Sequence, residues 1–189
     1  MTAPGKERSR WVCAQLGSRE HYAIPRVLHR RGALELLLTD YWAAGRASLA
    51  SRVPGADAAK AGQRFHPELA SVQVEHLGTR RIVFEIWMRL RRGRGWDAIM
   101  RRNVLFQRVL LHKLRKHERA LRAGRPGIFF AYSYAALELL KWFRQLGWKT
   151  VLGQIDPGVH EEDIVAREIA ARPEFASRWM RAPSGYWQL

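Results

Sequence analysis

The sequence predicts an α/β domain in which helices cover both faces of a parallel sheet of at least five strands. Two stretches carry most of that expectation. In TVLGQIDPGVHEEDIVAREIAA, residues 150–171, Val151 to Ile155 reads as a short buried strand, Asp156-Pro157-Gly158 as a turn, and residues 161–171 have helical spacing. Near the start, Trp11-Val12-Cys13-Ala14-Gln15-Leu16 is followed by Gly17-Ser18 and then by a helical pattern through Tyr22, Val27 and Leu28 that stops at Gly32. Strand, small-residue turn and helix, repeated along one chain, build βαβ units and hence a parallel sheet. Right-handed crossovers then give the strand order 3-2-1-4-5.

Taken in order, residues 1–9 form a polar tail and residues 10–189 the domain. Residues 10–16 are the first strand and 19–31 the first helix. Pro25 lies too deep for a first-turn proline and predicts a late start or a kink, and Gly32 is the C-terminal cap. Residues 34–39 are the second strand. The connection 40–67, with Gly45, Pro54, Gly55 and Gly62, reads as irregular with a turn or two of helix, and connections of that length are usually functional or mobile. Residues 72–77 alternate as a third strand, and 80–92 are helical up to Gly93-Arg94-Gly95. The longest helical pattern is 97–122, with Ile99, Met100, Val104, Leu105, Val109, Leu111 and Leu114 on its apolar side. Arg101, Arg108, Arg115, Arg119 and Arg122 lie largely away from that stripe. Residues 128–132 are the fourth strand. Residues 134–146 form a helix with Ala135, Leu139, Leu140 and Phe143 inward and Gly147 as its cap, and 149–155 the fifth strand. From Pro183 to Leu189 the chain stays aromatic and apolar, so it either docks on the core or leads into a further element.

The 189 residues suit one domain with a sizeable core, and 47% hydrophobic content excludes a disordered chain. No apolar run approaches a membrane span, and no secretory leader is recognisable at residues 2–9. A single cysteine, Cys13, inside a strand pattern excludes a disulfide framework and reads as a small core residue; a reducing, cytosolic compartment is the expectation. The formal charge is +16 and uneven: residues 80–122 hold fourteen Lys/Arg against Glu85, Asp97 and Glu118, a local net of +11. A basic face of that density implies anionic partners, whether lipid, nucleic acid or polyanionic substrate. Arg101, Arg108, Arg115 and Arg119 are the expected anionic-surface residues: they either meet anionic lipid headgroups, which would make the protein peripheral on the inner face of a membrane, or form a solvated outer face that keeps the domain soluble.

Ligand sites of parallel sheets lie beyond the carboxyl ends of the strands, so the turns there hold the candidates. Gly17-Ser18 lacks the three glycines of the dinucleotide fingerprint; it is either a close-approach loop for an oxygen-rich ligand, with Arg19 and His21 beside it, or a tight turn only. Tyr132-Ser133-Tyr134 ends the fourth strand and could line a sugar cleft by stacking and hydrogen bonding, or Ser133 could cap the next helix. Gln154 and Asp156 end the fifth strand, where Asp156 either accepts from ligand hydroxyls or caps the turn. Glu161, Glu162 and Asp163 suit a helix start. No histidine pair has metal-site spacing, and His112 and His117 read as solvated. There is no Ser/His/Asp or Cys/His set.

These turns in this order, WVCAQLGSREHYAIPRVLHRRGALELLLTDYW and much later KTVLGQIDPGVHEEDIV, resemble the amino-terminal half of GT-B glycosyltransferases, in particular the retaining family-four group (glycosyltransferase group 1). The resemblance covers residues 10 to about 189 and implies a Rossmann-like three-layer domain that binds a saccharide or lipid acceptor. It implies a nucleotide-sugar donor, bound mainly by a carboxyl-terminal domain not in this chain, so the chain alone is expected to be inactive. No cofactor and no metal are implied. The cleft wall would be Gly17, Ser18, His21, Tyr132, Ser133, Gln154 and Asp156. The family places a histidine just after the fourth strand, where this chain has Ala131-Tyr132-Ser133-Tyr134, so catalytic residues stay unassigned. The alternative from another class is a basic nucleic-acid-binding module without catalysis; against it, the eight tryptophans are scattered and not interleaved with the basic run as stacking platforms would be.

Overall fold

The structure, a computed structural model, describes residues 9–43, 64–91, 93, 95–155, 158–175 and 179–188. Five strands, β1 (Trp11–Gln15), β2 (Leu34–Thr39), β3 (Gln73–His76), β4 (Ile128–Tyr132) and β5 (Lys149–Gly153), pair in the order β3-β2-β1-β4-β5. Every pairing is parallel, with Val12 beside Leu36 and Phe129, and Ala131 beside Leu152. Among the described residues five α-helices connect or flank them: α1 (Ala23–Arg30), α2 (Thr79–Leu90), α3 (Gly95–Ala123), α4 (Leu137–Gln145) and α5 (Val159–Ala171). The α/β class, the parallel sheet and the strand order expected from the sequence are all present.

Alternation along the strands divides the core in two. Val12, Ala14, Leu36, Leu38, Phe129 and Ala131 face α3 and α4, where they meet Phe106, Leu110, Leu114, Leu139 and Phe143. Cys13, Leu37 and Phe130 point the other way, onto Tyr22, Leu69 and, from α1, Ile24 and Leu28. Both faces are covered, which is why the central strands read as continuous apolar runs with no polar side. Phe129 and Phe143 stack with centroids 4.2 Å apart and tie β4 to α4; such pairs contribute about 0.5–1.5 kcal/mol beyond the area they bury. Burial pushes the Cys13 thiol up to about 12, so it is inert packing, not a nucleophile.

Helix ends follow local chemistry. Gly32, at φ 62°, donates its N–H to His29 at 2.8 Å, and Ala33 donates to Leu28 at 2.9 Å; this double closure needs a left-handed residue that glycine adopts without penalty. Gly147 closes α4 in the same way. The late start expected from Pro25 is seen: residues 20–22 form a left-handed turn and α1 begins at Ala23.

Four expectations are corrected. The fifth strand is not buried and stops at Gly153: β5 is an edge strand, and Val151 and Leu152 are exposed. The fourth-strand turn does not run straight into helix at Tyr134: Tyr134 takes φ 85°, α4 begins at Leu137, and its N-cap is Ala136, not Ser133. The Gln107 side chain instead accepts from the Glu138 N–H at 2.8 Å and satisfies that helix start. On α3 the buried side is rotated: Asn103, Phe106, Gln107, Val109, Leu110, Leu114 and Leu121 are buried, while Ile99, Met100, Val104, Leu105 and Leu111 are only partly so. Apolar residues occupy most of the circumference there, so spacing alone did not fix the centre of the face. His117 is not simply solvated but lies 3.2 Å from Glu75 on β3, which also accepts from Lys113 at 2.7 Å. The turn or two of helix expected within 40–67 falls largely outside the described residues.

Glu68 accepts from Arg26 at 2.6 Å and from Arg30 at 2.8 Å, both on α1. Those two hydrogen bonds, Arg26 the stronger, hold its carboxyl down at about 2. A carboxyl depressed in the fold adds stability above its unfolded value and loses it as pH falls through the folded one. The thermal midpoint of Glu68→Gln is therefore expected below that of the parent at pH 6, with the gap closing between about pH 4.5 and pH 2. A gap unchanged down to pH 2 would show that the pair does not stabilise the fold through its charge.

Candidate functional site

The strand order reverses between β1 and β4, the point where a parallel sheet opens a crevice beyond its carboxyl edge. Two loops border it, one after β1 and one after β4. At the first, Gln15 is buried and donates to the Gly17 carbonyl at 3.0 Å. Gly17 takes φ 79°, and its N–H donates to the Asp40 carboxylate at 3.0 Å. Glu20, His21 and Tyr22 follow at φ 49°, 49° and 61°. Each left-handed non-glycine residue costs on the order of 1 kcal/mol. With Tyr134 these are all the non-glycine residues of positive φ among those described, so the backbone strain is confined to the two loops that flank the crevice.

Between the loops lies a cavity of about 140 Å³ lined by Gln15, Arg19, Asn103, Tyr132, Ser133 and Tyr134, with Leu16, Ile99, Phe106, Ile155 and Tyr186 among its apolar walls. Asn103 Nδ2 and Ser133 Oγ are buried, and neither has a hydrogen-bond partner among the described residues. An orphaned buried polar atom costs about 1–3 kcal/mol; Tyr22 and Trp148 carry two others, but these two, from α3 and from the β4 loop, line one cavity. A second pocket of about 180 Å³ adjoins it, sharing Ser133, Tyr134 and Tyr186 and adding Leu152, Gln154 and Trp187. Tyr134 and Tyr186 stack at 5.0 Å.

The chain end shapes this wall. Residues 184–188 dock on the domain: Tyr186 is buried, and Trp96 lies 4.7 Å from it. Glu162 on α5 accepts from the Ala182 N–H at 2.8 Å and from the Trp187 indole at 3.3 Å. Glu162 and Asp163 therefore clamp this segment, with Arg181 paired to Asp163, beyond any favourable effect on the start of α5.

The sequence-derived candidates divide. Tyr132, Ser133 and Gln154 line the two pockets. Gly17 and Ser18 border the crevice but line neither, and the Gly17 amide is already committed to Asp40. His21 is exposed and lines neither. Asp156 lies outside the described residues. Asn103, Gln15 and Tyr186 were missed. For Asn103 a signal existed: a polar residue at helical spacing from Ile99, Phe106 and Leu110, on the side that proves buried.

Burial first, then the Glu20 carboxylate whose Oε2 accepts from it at 3.3 Å, raises the Tyr132 phenol above its usual range. It therefore stays protonated at neutral pH, with its one proton donated to Glu20 and its oxygen left to accept. Arg19 stacks over its ring at 5.5 Å and is the one charged residue among those lining the smaller cavity. The set offers an amide, a hydroxyl, a phenol and a guanidinium, with aromatic faces and no carboxylate or thiol poised to attack. It can orient hydroxyls and stack a ring. Among the described residues no three His, Cys, Asp or Glu side chains gather to hold a metal ion. No protein-family model, no curated protein and no solved structure matches this chain.

Proposed function

We propose that this domain is the acceptor-binding part of a glycosyltransferase, holding the hydroxyls of a saccharide or of a glycosylated lipid in the crevice between β1 and β4. The observation that carries the reading is the pair of orphaned polar atoms, Asn103 Nδ2 and Ser133 Oγ, in a cavity walled by tyrosines at the switch point. Saccharides are recognised by that combination of a ring face for stacking and convergent donors and acceptors. The order of loops resembling the GT-B amino-terminal half supports the same assignment. Transfer from a nucleotide-sugar then belongs to a second domain, because the lining residues hold a single guanidinium and no phosphate cradle.

Saturation-transfer NMR with a panel of hexosides should show binding with Kd on the order of 1 mM, typical of a half-site, and Tyr134→Ala should remove the ring-proton signals. Nucleotide-sugars should give little signal and no turnover. Turnover by this chain alone, or tight nucleotide-sugar binding with no hexoside contact, would refute the assignment.

A further inference from the structure

The outward face of α2 carries Ile82, Val83, Ile86 and Leu90 at 53%, 65%, 52% and 79% exposure. Their spacing of i, i+1, i+4 and i+8 makes one aliphatic stripe along the helix. The opposite side packs inward through Met88, and the single acid of the helix, Glu85, is turned toward Arg81 at 2.9 Å and Arg102 at 3.0 Å. The exposed side therefore has no negative charge of its own. Arg80, Arg89 and Arg91 border the stripe, and Trp87 stands at its edge with the Arg91 guanidinium 4.7 Å and the Arg101 guanidinium 5.8 Å from its ring.

The face continues onto α3. Leu105 joins Val83, Phe84 and Trp87 around a shallow apolar depression, and Arg101, Leu105, Arg108, Arg115 and Arg119 follow one another at helical spacing. Arg101 is tied to Asp97 at 2.8 Å; Arg108, Arg115 and Arg119 are exposed and have no ion pair among the described residues. A row of cations beside an aliphatic stripe with a tryptophan at its margin is what an interfacial helix presents to lipid.

We propose that this face lies on an anionic membrane surface, with the α2 stripe entering the headgroup–acyl boundary and the α3 arginines meeting lipid phosphates. Charge decides between occupants. A second copy would bring the same +11 stretch against itself, and a nucleic acid would leave four aliphatic side chains in water. An anionic bilayer satisfies both parts of the face. The proposal stands independently of the sugar reading, since no residue of the stripe or of the arginine row lines either pocket.

The test is cosedimentation with vesicles of phosphatidylcholine alone and of phosphatidylcholine with one-quarter phosphatidylglycerol. The parent should bind the anionic vesicles, bind the neutral ones far less, and release at high salt as screening shortens the reach of its charges. Replacing Arg101, Arg108, Arg115 and Arg119 with glutamine should weaken binding about a hundredfold or more, because each surface arginine supplies roughly a fivefold factor. Ile82→Ser, Ile86→Ser and Leu90→Ser together should cost at least about tenfold, with circular dichroism confirming that both variants fold. Equal binding to neutral vesicles, or no loss in the serine variant, would overturn the proposal. So would a dimer, seen by ultracentrifugation and dissolved by the serine variant, or retention on duplex DNA, when either occurs without vesicle binding.

Discussion

Replacing Asp40 with alanine is expected to destabilise the domain by about 3–5 kcal/mol. The residue follows β2 directly at 2% exposure, and four donors converge on its carboxylate: Arg64 at 2.6 Å, Arg81, the Gly17 N–H at 3.0 Å and, more weakly, the Thr39 hydroxyl at 3.4 Å. Removing the anion leaves the Arg64 guanidinium without its counter-charge and Arg81 with Glu85 alone at 2.9 Å, and stripping one partner from a buried pair is the costly way to break it. The two arginine side chains are 28% and 19% exposed, so water recovers part of the loss and the lower end of the range is expected. Against a total of about 5–15 kcal/mol that is a large fraction, and urea titration should show it as a shift of midpoint at constant slope. Asp40→Asn keeps the shape and one acceptor and should fall between. The damage should also reach the crevice: amide exchange at Gly17 to Tyr22 should accelerate, because the N–H that anchors the loop loses its acceptor. An alanine variant within about 1 kcal/mol of the parent would mean the carboxylate is worth no more than a surface ion pair.

The architecture was legible because each of its signals is local. Gly32 and Gly147 end helices by a backbone conformation, Pro25 delays one, and the runs Leu36-Leu37-Leu38 and Phe129-Phe130-Ala131 can be apolar without alternation only if both sheet faces are covered. Right-handed crossovers then leave little freedom in strand order. The crevice was half legible for the same reason. Ser133 and Gln154 follow strands, and anything that follows a parallel strand stands at its carboxyl edge. What local signals could not supply was which chemistry each loop had already used. The Gly17 amide is consumed by Asp40, twenty-three residues away, and the left-handed run at Glu20 to Tyr22 leaves His21 exposed and outside both pockets. Asn103 escaped because it sits on a helix whose apolar circumference is too wide to show its buried side. Tyr186 escaped because docking of a chain end depends on Trp96, Tyr134 and Glu162 together. The same rotation of α3 explains the basic face: its arginines were visible in the sequence, but the aliphatic stripe of α2 beside them was hidden inside an ordinary amphipathic pattern.

Asn103→Leu should separate what the fold needs from what the ligand needs, by moving stability and binding in opposite directions. Asn103 is 3% exposed, on the side of α3 that faces the sheet, and its Nδ2 has no partner among the described residues. Leucine repeats the branching of asparagine with bulkier methyl groups that the adjoining cavity can take, places no donor there, and extends the apolar row of Phe106 and Leu110. Removing an unsatisfied buried donor without opening a void should stabilise the domain by about 1–2 kcal/mol, or roughly 2–8 °C in thermal midpoint for a chain of this size. Saccharide binding should be lost in the same variant, since the amide is a buried polar group of the cavity with no partner among the described residues. Ser133→Ala should act in the same direction with a smaller gain, and because both side chains line one cavity, the double variant should depart from additivity. Natural proteins retain a costly orphan where activity requires it. If Asn103→Leu instead loses 1 kcal/mol or more, the amide is already satisfied in the free protein and the cavity is not waiting for a polar guest. If it gains stability and binds hexosides as before, the site lies elsewhere along the sheet edge, and the pocket shared by Gln154 and Trp187 becomes the place to look.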